Sequence, residues 1–314
     1  MGPQRRSFGW MILRRPTLKR MVRAAPHLVR RRLRGAPGSR VESGHLAYTS
    51  FGPGDGEPLT AMAAALLRHE PDARLLVVDD SSGERMPALE RDDRVDFAPR
   101  WRPRGYPTGL LRLVLESFAL IASRYEFDVL LKLDTDALCL RPGVFAEARA
   151  CFEARPRVGM AGSHLRGTGD ERDDHRFAWL VPLMEAEARE DARFAEAWDA
   201  ALANGYTPGE HVQGGVYVLS RAALDALDAA GLLRWRPRLD ATLYDDVVLS
   251  MFVYAAGFTL ASLEPTILSA PNNLPVQLGA VAELSPAAVH TVKRGLGGES
   301  EAEVRAALTR RPRA

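Results

Sequence analysis

The sequence has little cysteine, little lysine and no long apolar run. Cys139 and Cys151 are the only cysteines among 314 residues, which argues against a disulfide framework and against a structural zinc site. No stretch approaches the roughly 18 uninterrupted apolar residues of a transmembrane-helix candidate. The segment Phe8–Leu13 is too short for the apolar region of a signal peptide, and Arg14 follows it at once. We therefore expect a cytoplasmic protein.

Charge is unevenly distributed along the chain. Only three of the 42 basic residues are Lys, and residues 1–40 hold 12 Lys and Arg but no Asp or Glu. The rest of the chain has 30 basic and 40 acidic residues, a net charge of −10. This pattern predicts an acidic body with a basic arm. The arm is either a disordered or partly helical leader or a peripheral contact with an anionic membrane surface. No base-reading motif accompanies it, so nucleic acid is not an expected partner.

The body begins with the pattern of a βαβ unit. His45–Phe51 is typical of a strand, an Ala-rich helix follows, and Arg74–Val78 is typical of a second, buried strand. This order predicts a parallel sheet. Ligands of such sheets bind beyond the carboxyl ends of the strands, which places Thr49, Asp79 and Asp80 in the ligand layer. Helix capping or a turn would also explain Asp79 and Asp80.

The most informative stretch is a buried strand that ends in an acidic pair. Four of the five residues Val129–Leu133 are apolar, as in a strand covered on both faces. Asp134 and Asp136 follow, and they point the same way if the chain stays extended, because a strand has a period of two. Two carboxylates one pleat apart suit a hard divalent cation, which prefers oxygen ligands. The alternative is a polar loop, because the Asp-x-Asp pattern is common.

Two later stretches and one histidine are further candidates. Gly214 and Gly215 precede an apolar strand, where a glycine pair permits either close approach of the backbone to a ligand or a bulge. Asp245 and Asp246 open an apolar helix. The helix dipole explains one of these carboxylates, and the second indicates another role. His290 stands alone, and a lone histidine is more often structural than a ligand.

Three polar stretches have no chemistry that the residues alone define. Residues 100–108 are a basic, aromatic loop that either meets phosphate or is solvated. Residues 163–180 are either a lid over a substrate or a plain surface loop. Residues 182–203 are predicted to be one charged helix with a solvated face.

In order and spacing, these stretches resemble the GT-A fold of nucleotide-sugar-dependent glycosyltransferases, and most of all the Fringe-like β-1,3-glycosyltransferase family. The resemblance covers residues 44–295. The matching motifs are Lys132 with Asp134-Thr135-Asp136, Gly214-Gly215 with the strand Val216–Ser220, Asp245-Asp246-Val247, and His290-Thr291-Val292-Lys293. The chain departs from the family in having Asp-Thr-Asp where three consecutive acidic residues are usual, and Asp245 where Glu is usual.

The resemblance implies a metal-dependent transferase. Asp134 and Asp136 would hold Mn²⁺ or Mg²⁺ against the diphosphate of a nucleotide sugar, expected to be a UDP-sugar, and His290 would be the third protein ligand. Asp246 would be the general base that activates a hydroxyl of a glycan, lipid or small-molecule acceptor in an inverting displacement. Donor binding is assigned to Thr49, Asp79, Asp80, Lys132 and Asp134. The acceptor side is assigned to Gly214, Gly215 and Asp245.

The resemblance also implies the organisation of the chain. We expect a Rossmann-like α/β fold of the GT-A type, with a mixed, mostly parallel sheet flanked by helices in a single large domain. The basic leader would be residues 1–40, the domain residues 41–298, and a C-terminal helix or tail residues 299–314. Within the domain, residues 41–140 would form the nucleotide half and residues 141–298 the acceptor half.

Two other functions fit parts of the sequence. Haloacid-dehalogenase-type phosphatases also have an apolar strand followed by Asp-x-Asp, in which Asp134 would be the nucleophile. That strand usually lies near the start of the domain, whereas a βαβ unit precedes it here. The third interpretation is a non-catalytic protein that docks on an anionic surface through its basic arm.

Overall fold

The structure is a computed structural model, and it describes residues 40–81, 84–99, 109–165, 179–237, 243–269, 278–290 and 300–309. The basic arm up to residue 39 and the loop predicted at 100–108 lie outside the described residues, as does most of the loop predicted at 163–180. Among the described helices, none is both long and apolar enough to cross a bilayer.

The described elements alternate between strands and helices along most of the chain. The strands are β1 (Val41–Glu42), β2 (His45–Phe51), β3 (Ala73–Asp79), β4 (Val95–Pro99), β5 (Tyr125–Glu126), β6 (Val129–Leu133), β7 (Leu138–Cys139), β8 (Val158–Leu165), β9 (His211–Ser220), β10 (Thr259–Ser262), β11 (Ile267–Ser269) and β12 (Ala288–His290). The helices are α1 (Gly56–His69), α2 (Pro87–Arg91), α3 (Leu110–Arg124), α4 (Val144–Ala154), α5 (Leu180–Glu190), α6 (Ala192–Ala203), α7 (Arg221–Ala229), α8 (Asp245–Ala255), α9 (Leu278–Leu284) and α10 (Glu301–Thr309).

A mixed sheet of seven strands forms the centre of the fold. Its order is β10-β8-β9-β6-β2-β3-β4, and of these strands only β9 runs antiparallel to its neighbours. A smaller sheet has the order β11-β12-β7, and β1 pairs with β5. The predicted fold class, a mixed and mostly parallel sheet flanked by helices, is confirmed.

The sheet has two apolar faces because successive side chains of a strand point to opposite sides. Leu46 and Tyr48 of β2 belong to one core cluster, whereas Ala47 belongs to the other. Helices α3, α5, α6, α7 and α8 cover the first face, and helices α1 and α4 cover the second. Side chains such as Phe118 of α3 are fully buried there. Each such aromatic or aliphatic side chain contributes about 1.5–3 kcal/mol through burial.

Most of the predicted elements are confirmed, and one helix prediction is wrong. The single helix predicted at 182–203 is two helices, α5 and α6. Asp191 separates them with extended backbone at φ −128° and ψ 110°, and its side chain accepts a hydrogen bond from the backbone N–H of Phe194 at 2.9 Å. Asp191 therefore acts as the N-cap of α6. The pair also buries side chains such as Met184 and Phe194 against the sheet, so it is not a solvated face.

The C-terminal helix α10 is packed onto the body. Val304 and Leu308 are buried, and they share a small apolar cluster with Leu138 of β7 and Val289 of β12. The helix therefore shares an apolar cluster with the two strands next to the candidate metal-binding residues. The predicted division of the domain into a nucleotide half and an acceptor half stays a prediction.

Candidate functional site

The Asp pair lies in a turn at the carboxyl edge of the sheet. The extended chain ends at Leu133, and the backbone N–H of Ala137 donates to the carbonyl oxygen of Asp134 at 3.0 Å. The prediction that Asp134 and Asp136 lie one pleat apart on an extended strand is therefore wrong. The turn, rather than the pleat, brings their carboxylates together.

His290 reaches this turn through the pairing of β12 with β7. The two strands are antiparallel, with Val289 opposite Leu138. Nε2 of His290 lies 3.4 Å from Oδ1 of Asp136 and 3.8 Å from Oδ2 of Asp134. One ligand atom from each of these three residues lies within 4.8 Å of the other two. The structure thus brings the three candidate ligands together, although they come from distant parts of the chain.

The donor set of this trio fits a divalent cation. Carboxylate oxygens suit Mg²⁺ and Mn²⁺, and an imidazole nitrogen is a ligand for transition metals. Three protein ligands leave coordination positions for a phosphate or for water. The side chain of Asp134 is 38% exposed, whereas those of Asp136 and His290 are 9% and 5% exposed. A ligand would therefore approach from the side of Asp134.

Lys132 lies buried beneath the turn. Its ammonium donates to Oδ1 of Asp134 at 2.5 Å and to the carbonyl oxygen of Gly214, and it lies 5.4 Å from the centre of the Tyr217 ring. Burial lowers the pKa of Lys132, but the carboxylates of Asp134 and Asp245 outweigh that effect and raise it above its usual value. The ammonium is therefore charged, and it is already engaged within the protein. Its predicted contact with the donor stays a prediction.

The glycine pair forms a bulge in β9. Val212 and Tyr217 lie opposite His164 and Gly162 of β8, so five residue steps on β9 correspond to only two on β8. The bulge that the glycine pair permits is confirmed. The carbonyl oxygen of Gly215 accepts a hydrogen bond from the backbone N–H of Asp134 at 2.8 Å. The bulge therefore joins β9 to the acidic turn.

The two carboxylates at the start of α8 have different surroundings. Oδ2 of Asp246 accepts from the backbone N–H of Gly214 at 3.0 Å, and Oδ1 accepts from that of Val247 at 2.9 Å. Asp246 is half-buried, whereas Asp245 is buried, and Oδ2 of Asp245 accepts no hydrogen bond from the described residues. Burial raises the pKa of Asp245 to about 7. The ammonium of Lys132 lowers this pKa, and the carboxylate of Asp246 raises it further. Asp246 is thus the more accessible of the two.

The residues assigned to the nucleotide lie at the same edge of the sheet, because β6, β2 and β3 are parallel neighbours. Asp79 accepts hydrogen bonds from the backbone N–H of Ser81 at 2.9 Å and from its hydroxyl at 2.6 Å, so Asp79 shapes a turn. The backbone N–H of Asp80 donates to the carbonyl oxygen of Phe51 at 3.0 Å. The side chain of Thr49 is fully buried. The assignment of Thr49, Asp79 and Asp80 to the donor stays a prediction.

Arg305 contacts the acidic turn and was not singled out from the sequence. Its guanidinium donates to the carbonyl oxygens of Thr135 at 2.9 Å and Ala137 at 3.4 Å. Glu301 and Arg305, four residues apart, and the apolar Val304 and Leu308 indicate an amphipathic helix. That pattern predicts a docked helix but does not show which part of the body receives it.

No family model matches the chain, and no curated protein matches it. The chain is similar to several solved structures. A mannosyltransferase, PcManGT from Pyrobaculum calidifontis in complex with GDP-Man and Mn²⁺, is 15% identical over 80% of this chain and 63% of its own, with a TM-score of 0.44. The bifunctional glycosyltransferase WbbM is 13% identical over 86% of this chain and 50% of its own, with a TM-score of 0.45. The galactosyltransferase LgtC, in complex with donor and acceptor sugar analogs, is 13% identical over 85% of this chain and 97% of its own, with a TM-score of 0.44. The chain thus spans less than two thirds of the first two.

Proposed function

We propose that the protein is a metal-dependent glycosyltransferase that moves a sugar from a nucleoside-diphosphate sugar to a hydroxyl group of an acceptor. One observation carries the proposal. Asp134, Asp136 and His290 offer ligand atoms within 4.8 Å of one another at the carboxyl edge of the sheet. Gly215 contacts this trio, and the backbone N–H of the neighbouring Gly214 donates to Asp246, so the candidate metal ligands and the candidate base contact one bulge.

The carboxylates of Asp134 and Asp136 and the imidazole of His290 would hold Mn²⁺ or Mg²⁺. When bound, the ion supplies Lewis-acid stabilisation of the negative charge on the departing diphosphate. Lys132 fixes Asp134 by binding Oδ1, which leaves Oδ2 facing His290. The half-exposed side of Asp134 gives a diphosphate access to the trio.

Asp246 would accept the proton of the acceptor hydroxyl. The N–H groups of Gly214 and Val247 hold its two oxygens, so the carboxylate is oriented before a substrate binds. A base on the face opposite the leaving group gives an inverted product, as in inverting glycosidases. Asp245 is the poorer candidate because it is buried. We propose a UDP-sugar as donor from the resemblance to the Fringe-like family, and a glycan, lipid or small molecule as acceptor.

Calorimetry with UDP and GDP, each with and without Mn²⁺, tests the proposal. We expect Asp136→Asn to lose the Mn²⁺-dependent binding of a nucleoside diphosphate. We expect Asp246→Asn to keep that binding but lose sugar transfer. Asp199→Asn is the matched control, because Asp199 lies exposed on α6. This substitution should change neither nucleoside diphosphate binding nor sugar transfer.

The proposal is wrong if the wild-type protein binds no nucleoside diphosphate in the presence of Mn²⁺. Release of phosphate from a generic phosphoester, lost in Asp134→Asn, would instead support the phosphatase. Binding of a nucleoside diphosphate without any sugar transfer would support a non-catalytic protein. A separate measurement of vesicle binding would test whether residues 1–40 contact an anionic membrane surface.

A further inference from the structure

We propose that α10 braces the candidate metal site and that Arg305 is its positioning residue. The proposal rests on the metal-binding part of the function proposed above, since it concerns the same three candidate ligands. It assigns a role to α10, which lies beyond residues 44–295, the part of the chain that resembles the Fringe-like family.

Arg305 holds the backbone of the acidic turn. Nη2 donates to the carbonyl oxygen of Thr135 at 2.9 Å, and Nη1 lies 3.4 Å from that of Ala137. Thr135 stands between the two candidate carboxylate ligands, so the orientation of its peptide groups sets the direction of both side chains. Glu301 accepts from Nε of Arg305 at 2.8 Å and fixes the guanidinium from the other side. Arg305 is 9% exposed, so water competes little for these contacts.

The same helix also shares an apolar cluster with the segment that carries His290. Val304 and Leu308 belong to one buried cluster with Val289, the residue before His290, and with Leu138, which follows the acidic turn. Val304 is fully buried and Leu308 is 4% exposed. The three candidate ligands come from two segments that pair through β7 and β12, which are two and three residues long. Helix α10 shares this apolar cluster with both strands and would hold the ligands at a fixed separation.

The change in cation affinity on removal of Arg305 has opposite signs for a positioning role and for a purely electrostatic effect. The positive charge of Arg305 repels a divalent cation, so its removal alone would tighten cation binding. If Arg305 positions the turn, its removal weakens cation binding, because residues that orient metal ligands typically account for about 10–100-fold in metal affinity. A residue that only stabilises the fold would change the melting temperature and leave the affinity unchanged.

The experiment is calorimetric titration of Mn²⁺ alone into the full chain, with the melting temperature of each metal-free variant measured in parallel. We expect Arg305→Ala to weaken Mn²⁺ binding about 10-fold or more. We expect Arg305→Lys to bind Mn²⁺ more weakly than the wild type as well, because a single ammonium does not reproduce the planar fork of a guanidinium. The matched control is Arg74→Ala. Arg74 pairs with the buried Asp96 at 3.2 Å near the start of β3, at the opposite edge of the sheet, so this variant should lose stability and keep Mn²⁺ affinity.

An Mn²⁺ affinity of Arg305→Ala that is equal to or tighter than that of the wild type would overturn the brace. If Arg305→Ala does not fold, Arg305→Lys decides, and wild-type affinity in that variant overturns the proposal. A wild-type protein that binds Mn²⁺ but no nucleoside diphosphate would refute the proposed function and leave the brace intact. A wild-type protein that binds no Mn²⁺ would refute both.

Discussion

The imidazole of His290 lies directly against the Cα of Gly215. A Cβ at position 215 would lie 1.9 Å from Cδ2 and 2.0 Å from Cγ of that ring. Gly215 also accepts the hydrogen bond of the Asp134 backbone N–H, so it contacts two of the three candidate ligands. Position 215 therefore admits no side chain while His290 stays in place.

We expect Gly215→Ala to displace His290 and to weaken Mn²⁺ binding about 10-fold or more, the usual scale for disturbing a ligand's support. Calorimetric titration with Mn²⁺ measures the change. Gly279→Ala is the control, because Gly279 lies in α9 and a methyl group added there would meet no atom of the described residues within 4 Å. That substitution should raise stability by up to about 1 kcal/mol through helix propensity. Wild-type Mn²⁺ affinity in Gly215→Ala would contradict the assignment of His290.

The neighbouring glycine gives the complementary prediction. A Cβ at Gly214 would lie 3.0 Å from Oδ2 and 3.1 Å from Cβ of Asp246, so Gly214→Ala would push this carboxylate aside. We expect Mn²⁺ affinity to be kept and kcat to fall about 10-fold or more, because misplacing a catalytic group by about 1 Å can cost 100-fold. Transfer assays at saturating Mn²⁺ measure this. Unchanged kcat would argue against Asp246 as the base.

Local patterns were sufficient for the elements that carry the site. The largely apolar runs His45–Phe51 and Val129–Leu133 predict strands where β2 and β6 lie, because strands buried on both faces have near-continuous apolar residues. The turn after Leu133 could not be predicted in this way, because the assumption of continued extension has no support beyond the last sheet pairing. The break at Asp191 was missed because apolar residues recur on both sides of it.

Long-range contacts were the part that residue patterns alone could not predict. The pairing of β12 with β7 brings His290 to Asp134 and Asp136, and those strands are too short to show a clear pattern. His290 is predicted as a ligand only through the resemblance to a family, and no pattern in the sequence predicts the role of Arg305. Its role depends on where α10 packs, and the amphipathic pattern of a helix does not identify the surface that receives it.

Asp245 gives a prediction for the pH dependence of stability. Burial raises its pKa to about 7 in the folded protein, although Lys132 opposes the shift, and the charges of Asp246 and Asp134 add to it. Tyr48 and Tyr217 are the buried phenols nearby. A carboxyl whose pKa is raised on folding binds more protons in the folded state, so stability falls as pH rises from about 4 to 7 and then levels off.

The test compares the unfolding free energies of wild type and Asp245→Asn between pH 4 and pH 8 in denaturant titrations. As pH rises from 4 to about 7, we expect the unfolding free energy of Asp245→Asn to increase relative to that of the wild type. The reason is that Asn resembles the protonated carboxyl but does not ionise. Asp199→Asn, at an exposed position on α6, should show no such trend. A difference that does not vary with pH would show that Asp245 is ionised throughout the range.

Cys139 should be chemically inert in the folded protein. It is 1% exposed, and burial raises its pKa to about 12, with the carboxylate of Glu70 adding to the shift. The thiolate is the reactive form, so its fraction at pH 8 is negligible. Ellman's reagent should therefore leave the native Cys151→Ser variant, in which Cys139 is the sole thiol, unlabelled until denaturant is added. One thiol should then react at once. Rapid labelling of that variant without denaturant, at a rate above its unfolding rate, would show that the strand β7 opens and that the pairing which carries His290 to the acidic turn is loose.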